Sequence, residues 1–407
     1  MGGEIGKRVE RRGAQRRLSH GFLSTVAVSL AQRLAHSAVF SRPVSPPVPG
    51  LLLPPGDGAE APEETPPASI GLFLPEFPHR KLPGPDRFQV LSCIARGSYG
   101  PILRVRDASR GQTYAVKVLP KSSILKDGAL QQSKEEVIIQ RQLKHPFIHN
   151  LQDCWQTERH LFIMWDFCSS GDLYTCWLLK GRFEEVEVRL LAAELGSALG
   201  FLHDLGIVHR DIKMENVLLS DRGHLRLSDF GLSRRLERGG RAFTICGTIQ
   251  YMAPEVLCGG PYSHAADWWS LGVMLFALVT GEFPLPAEPD HSIMLRKVTG
   301  CSYSLPPALS SALSVLLTEL LCKTPMKRLR NLDSLKTQAF FRGASFDSYL
   351  LQKTPVDFIL ELRSRPDWAA KSRRGAAADH FDDFDSSRTL QSPTTPSDPL
   401  PLRPACS

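Results

Sequence analysis

Three groups of residues in this chain have types and spacings that suit chemistry on a phosphate. The first is the stretch Ile94-Ala95-Arg96-Gly97-Ser98-Tyr99-Gly100-Pro101-Ile102. Glycines let backbone N–H groups approach an anion closely. The stretch therefore reads as a glycine-rich phosphate loop in which Ala95 stands where the first glycine is expected. By themselves, Gly97 and Gly100 fit a tight strand turn equally well. The second group is Lys117 in "AVKVL", 17 residues beyond Gly100; a lone lysine on such a strand is ordinarily solvated. The third is "HRDIKMEN", His209 to Asn216, followed by "DFG" (Asp229 to Gly231) and "APE" (Ala253 to Glu255). A chance occurrence of all five elements in this order is negligible.

These groups need a scaffold, and the hydrophobic patterns supply one. "RFQVLSCIA", "ILRVRD", "TYAVKVLP" and "HLFIMWDF" read as strands, and "SKEEVIIQRQLKH" as an amphipathic helix. From Val186 onward helix patterns dominate, including "RLLAAELGSALGFLHDLG" and "DWWSLGVMLFALVTG". The expected fold is α+β and bilobal, a small β-rich lobe with one main helix preceding a larger helical lobe. Composition divides the chain into four regions. Residues 1–42 are a basic amphipathic segment, and 43–87 a proline-rich disordered linker. Residues 88–341 carry the folded domain, and 342–407 form a polar, proline-rich tail expected to build no core of its own.

The ordered motifs match the protein-kinase signature set. With "LKHPFI", "CGT", "YMAPE", "QAFFRG" and "TPVDFI", the chain from about residue 88 to 395 resembles the AGC protein kinases, and among them the ribosomal protein S6 kinases. The resemblance implies a serine/threonine kinase using ATP and Mg²⁺, a reaction in which the protein supplies mainly positioning and charge stabilisation. Lys117 would hold the α- and β-phosphates, and its ion-pair partner would be Glu136, with the adjacent Glu135 left to solvent. Asp229 and Asn216 would bind Mg²⁺ as hard oxygen ligands. Asp211 would accept the proton of the substrate hydroxyl, and Lys213 would steady the γ-phosphate. The nucleotide would lie among Ile94, Ala95, Arg96, Gly97, Ser98, Tyr99, Gly100, Ile102, Ala115, Lys117 and Leu218, with adenine against the hinge at Asp166 and Cys168. "KMEN" and Thr248 in "CGTIQY" argue for Ser/Thr substrates.

Further implications concern scaffold and regulation. Asp267 should hold the backbone of the catalytic loop, and Glu255 should pair with Arg328. Asp172 and Glu215 match acids that face a basic residue three before the phosphorylated Ser or Thr. Ala277 replaces a further acid, so selection for Arg at minus two should be weak. Thr244 occupies an activation-loop phosphosite on which a phosphoinositide-dependent kinase would act, near Arg210. In the tail, Ser392 resembles the turn site, and Phe381 and Phe384 the segment that packs near adenine. Two residues depart from the family: Trp165 enters the hinge, and Gln140 occupies an apolar spine position. An indole N–H needs a partner when buried, so Gln140 is expected to accept a hydrogen bond from Trp165. Together with Ala95 these departures leave a second class of function open, a pseudokinase or scaffold that binds partners through the kinase fold.

The bulk composition fits this picture. The 42% hydrophobic and 22% charged residues are those of an ordinary globular protein. The nine cysteines include no C-x-x-C pair, so neither a zinc site nor a disulfide framework is indicated, and the cytoplasm is the natural compartment. Of the net charge of +7, residues 1–42 contribute +6. A nucleic-acid-binding surface on the remainder is not expected. Within the head, the Arg-rich amphipathic stretch 7–40 reads as a transit peptide, as an interfacial helix making peripheral membrane contact, or as a basic tail.

Overall fold

The computed structural model describes residues 68–80, 88–97, 100–301, 303 and 305–364. The basic head, Ser98, Tyr99, Phe381, Phe384 and Ser392 lie outside the described residues.

Five strands form the small lobe: β1 (Phe88–Gly97), β2 (Gly100–Asp107), β3 (Thr113–Pro120), β4 (Leu151–Gln156) and β5 (His160–Asp166). They make one antiparallel sheet in the order β1-β2-β3-β5-β4. Side chains alternate across a strand, so Val116, Phe162 and Met164 pack on one face with Leu103, Val105 and Trp155. Leu119, Leu161, Ile163 and Trp165 pack on the other. Lys117 shares the strand parity of Leu119 and so falls on the second face, toward helix α3 (Leu130–Gln140).

Two expectations drawn from composition need correction. Residues 68–80, assigned to a disordered linker, fold onto the small lobe, where helix α1 (Ala68–Gly71) and a following turn bury Ile70, Phe73 and Phe77. Three apolar anchors there outweigh the neighbouring prolines. The tail also contributes to the core. Leu351, Val356, Phe358 and Ile359 are buried in the large lobe, and the Val356 N–H donates to the Gly223 carbonyl.

The large lobe is built on α5 (Glu185–Asp204) and α7 (Ala265–Thr280), whose facing sides are almost wholly buried. A capping box between Glu184 and Glu187 fixes the start of α5. Between the lobes, β6 (Ile207–Val208) pairs with β9 (Arg234–Arg235), and β7 (Val217–Leu219) with β8 (Leu225–Leu227). These short ribbons hold the two acidic loops side by side. No helix among the described residues is long and apolar enough to cross a membrane.

Candidate active site

The loop after β6 is anchored from below. Asp267, fully buried on α7, accepts from the backbone N–H groups of His209 and Arg210, both at 2.9 Å, and from His203 Nε2 at 2.8 Å. Burial alone would raise the Asp267 pKa, but the His203 contact and the field of the surrounding donors bring it below the usual carboxylate range. Arg210 takes a left-handed conformation, φ 71°, which turns the chain directly after the two amides held by this carboxylate. This is the scaffold role expected of Asp267.

Above that anchor, Asp211, Lys213, Asn216 and Thr248 form one network. Asp211 Oδ2 lies 2.7 Å from Lys213 Nζ and accepts from Asn216 Nδ2 at 3.1 Å. Asp211 Oδ1 accepts from Thr248 Oγ1 at 2.8 Å, and Lys213 Nζ donates to the same hydroxyl at 3.0 Å. Burial would depress the Lys213 pKa, yet the Asp211 carboxylate outweighs it and holds the ammonium charged.

Across the cleft, Lys117 Nζ reaches both carboxylate oxygens of Glu136, at 3.3 and 3.2 Å. Glu135 is exposed. The choice of Glu136 over its neighbour therefore corresponds to the geometry. Burial, opposed by Lys117, raises the Glu136 pKa. Asp229 adopts a left-handed backbone, φ 61°. Burial opposes its charge too, but the fields of Lys117 and Lys213 lower its pKa, so it stays ionised between the two lysines. Gln132 Nε2 donates to the Gly231 carbonyl at 2.7 Å and ties α3 to this loop.

The nucleotide-loop candidates lie along β1 and β2. Ala95 pairs with Ile102, and Ile102 with Lys117. A Cβ at Gly100 would come within 2.1 Å of the Val118 carbonyl oxygen, so that position admits only glycine. Ala95 needs no such exception, because it follows a register irregularity at Cys93–Ala95 without taking a positive φ. Ala115 pairs with Trp165, and Leu218 in β7 bridges to Asp172. Burial beside the hinge pushes the pKa of the Cys168 thiol up to about 12.

Behind the hinge, Trp165 Nε1 donates to Gln140 Oε1 at 2.7 Å, as the two departures from the family pattern suggested. The indole also stacks on His149, whose Nε2 donates to the Asp166 carbonyl at 2.7 Å. Trp165→Leu or Gln140→Leu alone is expected to destabilise by roughly 1–3 kcal/mol, since each strands a buried polar group. The double variant should recover part of that loss. Additive losses in chemical denaturation would show the two residues to be independent.

The candidate substrate acids differ from each other. Asp172 caps helix α4 (Leu173–Lys180), accepting from the Thr175 N–H at 2.7 Å and from its hydroxyl at 3.1 Å. Glu215 has a buried Oε2 without a hydrogen-bond partner. Burial raises the pKa of both, and the nearby acids raise that of Glu215 further. Thr244 shares a cavity with Arg210, Arg234, Gln132 and Glu135. Sequence reasoning missed Gln132, His149 and the bridging role of Thr248. Only the last had a signal, its place in "CGT".

Residues 88–341 match the protein kinase domain family, and the chain belongs to the protein kinases. It is 53% identical to the human ribosomal protein S6 kinase-related protein over 324 residues, 80% of this chain and 77% of that protein. A Caenorhabditis elegans serine/threonine-protein kinase is 39% identical over 76% of this chain and 71% of its own length. Human ribosomal protein S6 kinase alpha-4 is 35% identical over 71% of this chain, which spans 39% of that longer protein. Within the protein kinases the chain falls in the AGC-type, S6 kinase-like group, and it is a protein-serine/threonine kinase.

Proposed function

We propose that the chain transfers the γ-phosphate of Mg-ATP to Ser or Thr in peptides with a basic residue upstream. The carrying observation is the joined constellation of Lys117–Glu136 on one side of the cleft and Asp211–Lys213–Thr248–Asn216 on the other. Asp211 accepts the hydroxyl proton, and Lys213 steadies the phosphate being transferred. Lys117, fixed by Glu136, holds the remaining phosphates. The donor set fits Mg²⁺: Asp229 stays ionised, and Asn216 spends its Nδ2 on Asp211, which leaves its Oδ1 for a hard cation. When bound, the ion neutralises charge on the phosphates.

The unpartnered Glu215 oxygen supports the basic preference, because a buried carboxylate gains most from a cationic partner. With Ser-containing peptides and Mg-ATP, removal of Arg at minus three is expected to lower kcat/KM by about 10-fold or more, and Glu215→Gln should erase that difference. Lys117→Met should show no transfer to either peptide. Equal use of both peptides by the unaltered chain would remove the basic preference, and transfer by Lys117→Met would remove the assigned role of that lysine.

Thr244 is the proposed phosphosite for an upstream phosphoinositide-dependent kinase, with Arg210 and Arg234 as its counter-charges. Thr244→Ala should therefore resist activation by that kinase, and full activity in the variant would show that the switch does not operate. For residues 7–40, the charge and apolar spacing support peripheral contact with an anionic membrane surface from a cytoplasmic location.

A further inference from the structure

Residues 68–80 make contacts of two kinds, and both converge on α3. Phe73 and Phe77 are fully buried, edge to face with centroids 6.4 Å apart. They fill a pocket formed by Ile124 and Ala129, by Val137 on α3, and by Cys154, Leu161 and Ile163 of β4 and β5. Val137 directly follows Glu136 in sequence. The cluster also includes Trp165, whose indole holds Gln140 of the same helix.

The polar contacts bracket the helix. Lys134 Nζ lies 3.0 Å from the Glu76 carboxylate and donates to the Leu74 carbonyl, and Arg141, just beyond the helix, donates to the Glu76 carbonyl at 2.5 Å. On the other side the segment extends the sheet past its edge strand β4. Gln156 N–H donates to the Pro78 carbonyl, and Arg80 N–H to the Gln156 carbonyl. The buried Gln156 Nε2 donates to the carbonyls of Ile70 and Phe77, at 3.1 and 2.5 Å. Arg80 makes a two-pronged pair with Asp153.

Most of what this segment touches belongs to the helix that presents Glu136 or to the strands behind it, and Lys121, Ile124 and Ala129 lie in the stretch leading into that helix. We infer that residues 68–80 are an in-chain positioning segment for phosphoryl transfer, with Phe73 and Phe77 acting through α3 to keep Glu136 on Lys117. The segment brings two aromatic anchors and an intervening acid, so the chain's own upstream sequence fills the pocket beside α3. The inference rests on the reading that Lys117 and Glu136 serve the transfer step.

The test uses the full chain carrying Phe73→Ala and Phe77→Ala together. Misplacing a catalytic group by about 1 Å can cost roughly 100-fold, and a loss of that order in kcat is expected, with faster amide exchange across residues 130–140. A synthetic peptide of residues 68–80 added in trans should restore activity with saturation, whereas the same peptide with both alanines should not. If the double variant does not melt cooperatively, Phe77→Ala alone takes its place, since it loosens the segment and leaves the receiving pocket, Gln156 included, intact. The same loss and the same rescue are expected. Activity within about two-fold of the unaltered chain, or a loss in a cooperatively folded variant that saturating peptide does not restore, overturns the inference. Failure of the underlying reading shows separately, as transfer by Lys117→Met.

Discussion

Asp211→Asn is expected to lower phosphoryl transfer by roughly 10²- to 10⁴-fold, the range associated with a lost general base. The amide keeps the shape of the carboxylate, and its Oδ1 can still accept from the Thr248 hydroxyl that now sits at 2.8 Å. It cannot take a proton from the substrate. Lys213 loses the carboxylate that keeps it charged in a buried setting, which adds to the damage. Lys117 is held by Glu136, and the Asp229 carboxylate accepts from the Gly231 N–H, so nucleotide binding should survive. Retained Mg-ATP stabilisation in a thermal-shift measurement, together with lost transfer, is the diagnostic pair. Undiminished transfer by the variant would refute the assignment of Asp211 and favour a scaffold.

The largest effect on stability is expected at Arg328. Its guanidinium is almost completely buried and donates to both oxygens of Glu255, at 2.6 and 3.0 Å, to the Ala265 carbonyl and to the Cys322 carbonyl. It also lies over the Trp269 ring. Arg328→Leu removes all four hydrogen bonds and leaves a carboxylate without its counter-charge. Breaking one side of a buried pair costs about 3–5 kcal/mol, a large share of the ~5–15 kcal/mol that holds a domain folded. The denaturant midpoint should fall accordingly without a change in slope. A shift corresponding to less than about 1 kcal/mol would mean that Glu255 finds another partner or takes up a proton at little cost.

The parts of the site carried by contiguous motifs were legible in the sequence. Asp211, Lys213 and Asn216 lie in one loop, and fixed spacing along a loop translates directly into fixed geometry. The Trp165–Gln140 bond was legible for a different reason. Both residues break the pattern of their own elements, and an indole N–H and an amide oxygen satisfy one another. Residues 68–80 were not legible, because Phe73 and Phe77 stand in a proline-rich stretch without helical or strand period, and their partners lie far along the chain. Burial of Val356 and Phe358 was hidden in the same way by the polar residues around them. Asp172 shows the opposite limit. The sequence marks it as an acid near a helix start, and a capping role and a substrate role look alike until its oxygens are seen bonded to Thr175.

The indole at position 165 has a pharmacological consequence. Many ATP-competitive compounds gain selectivity by extending past the hinge into a cavity behind adenine, and with adenine at the proposed site that route would end at a ring stacked on His149 and tethered to Gln140. Trp165→Ala would reopen the rear cavity, so an enlarged ATP analogue could silence the variant while leaving kinases with ordinary medium-sized gatekeepers untouched. With adenine at the proposed hinge site, the residue that closes the rear wall is thus also the handle by which a chemical-genetic allele could be made.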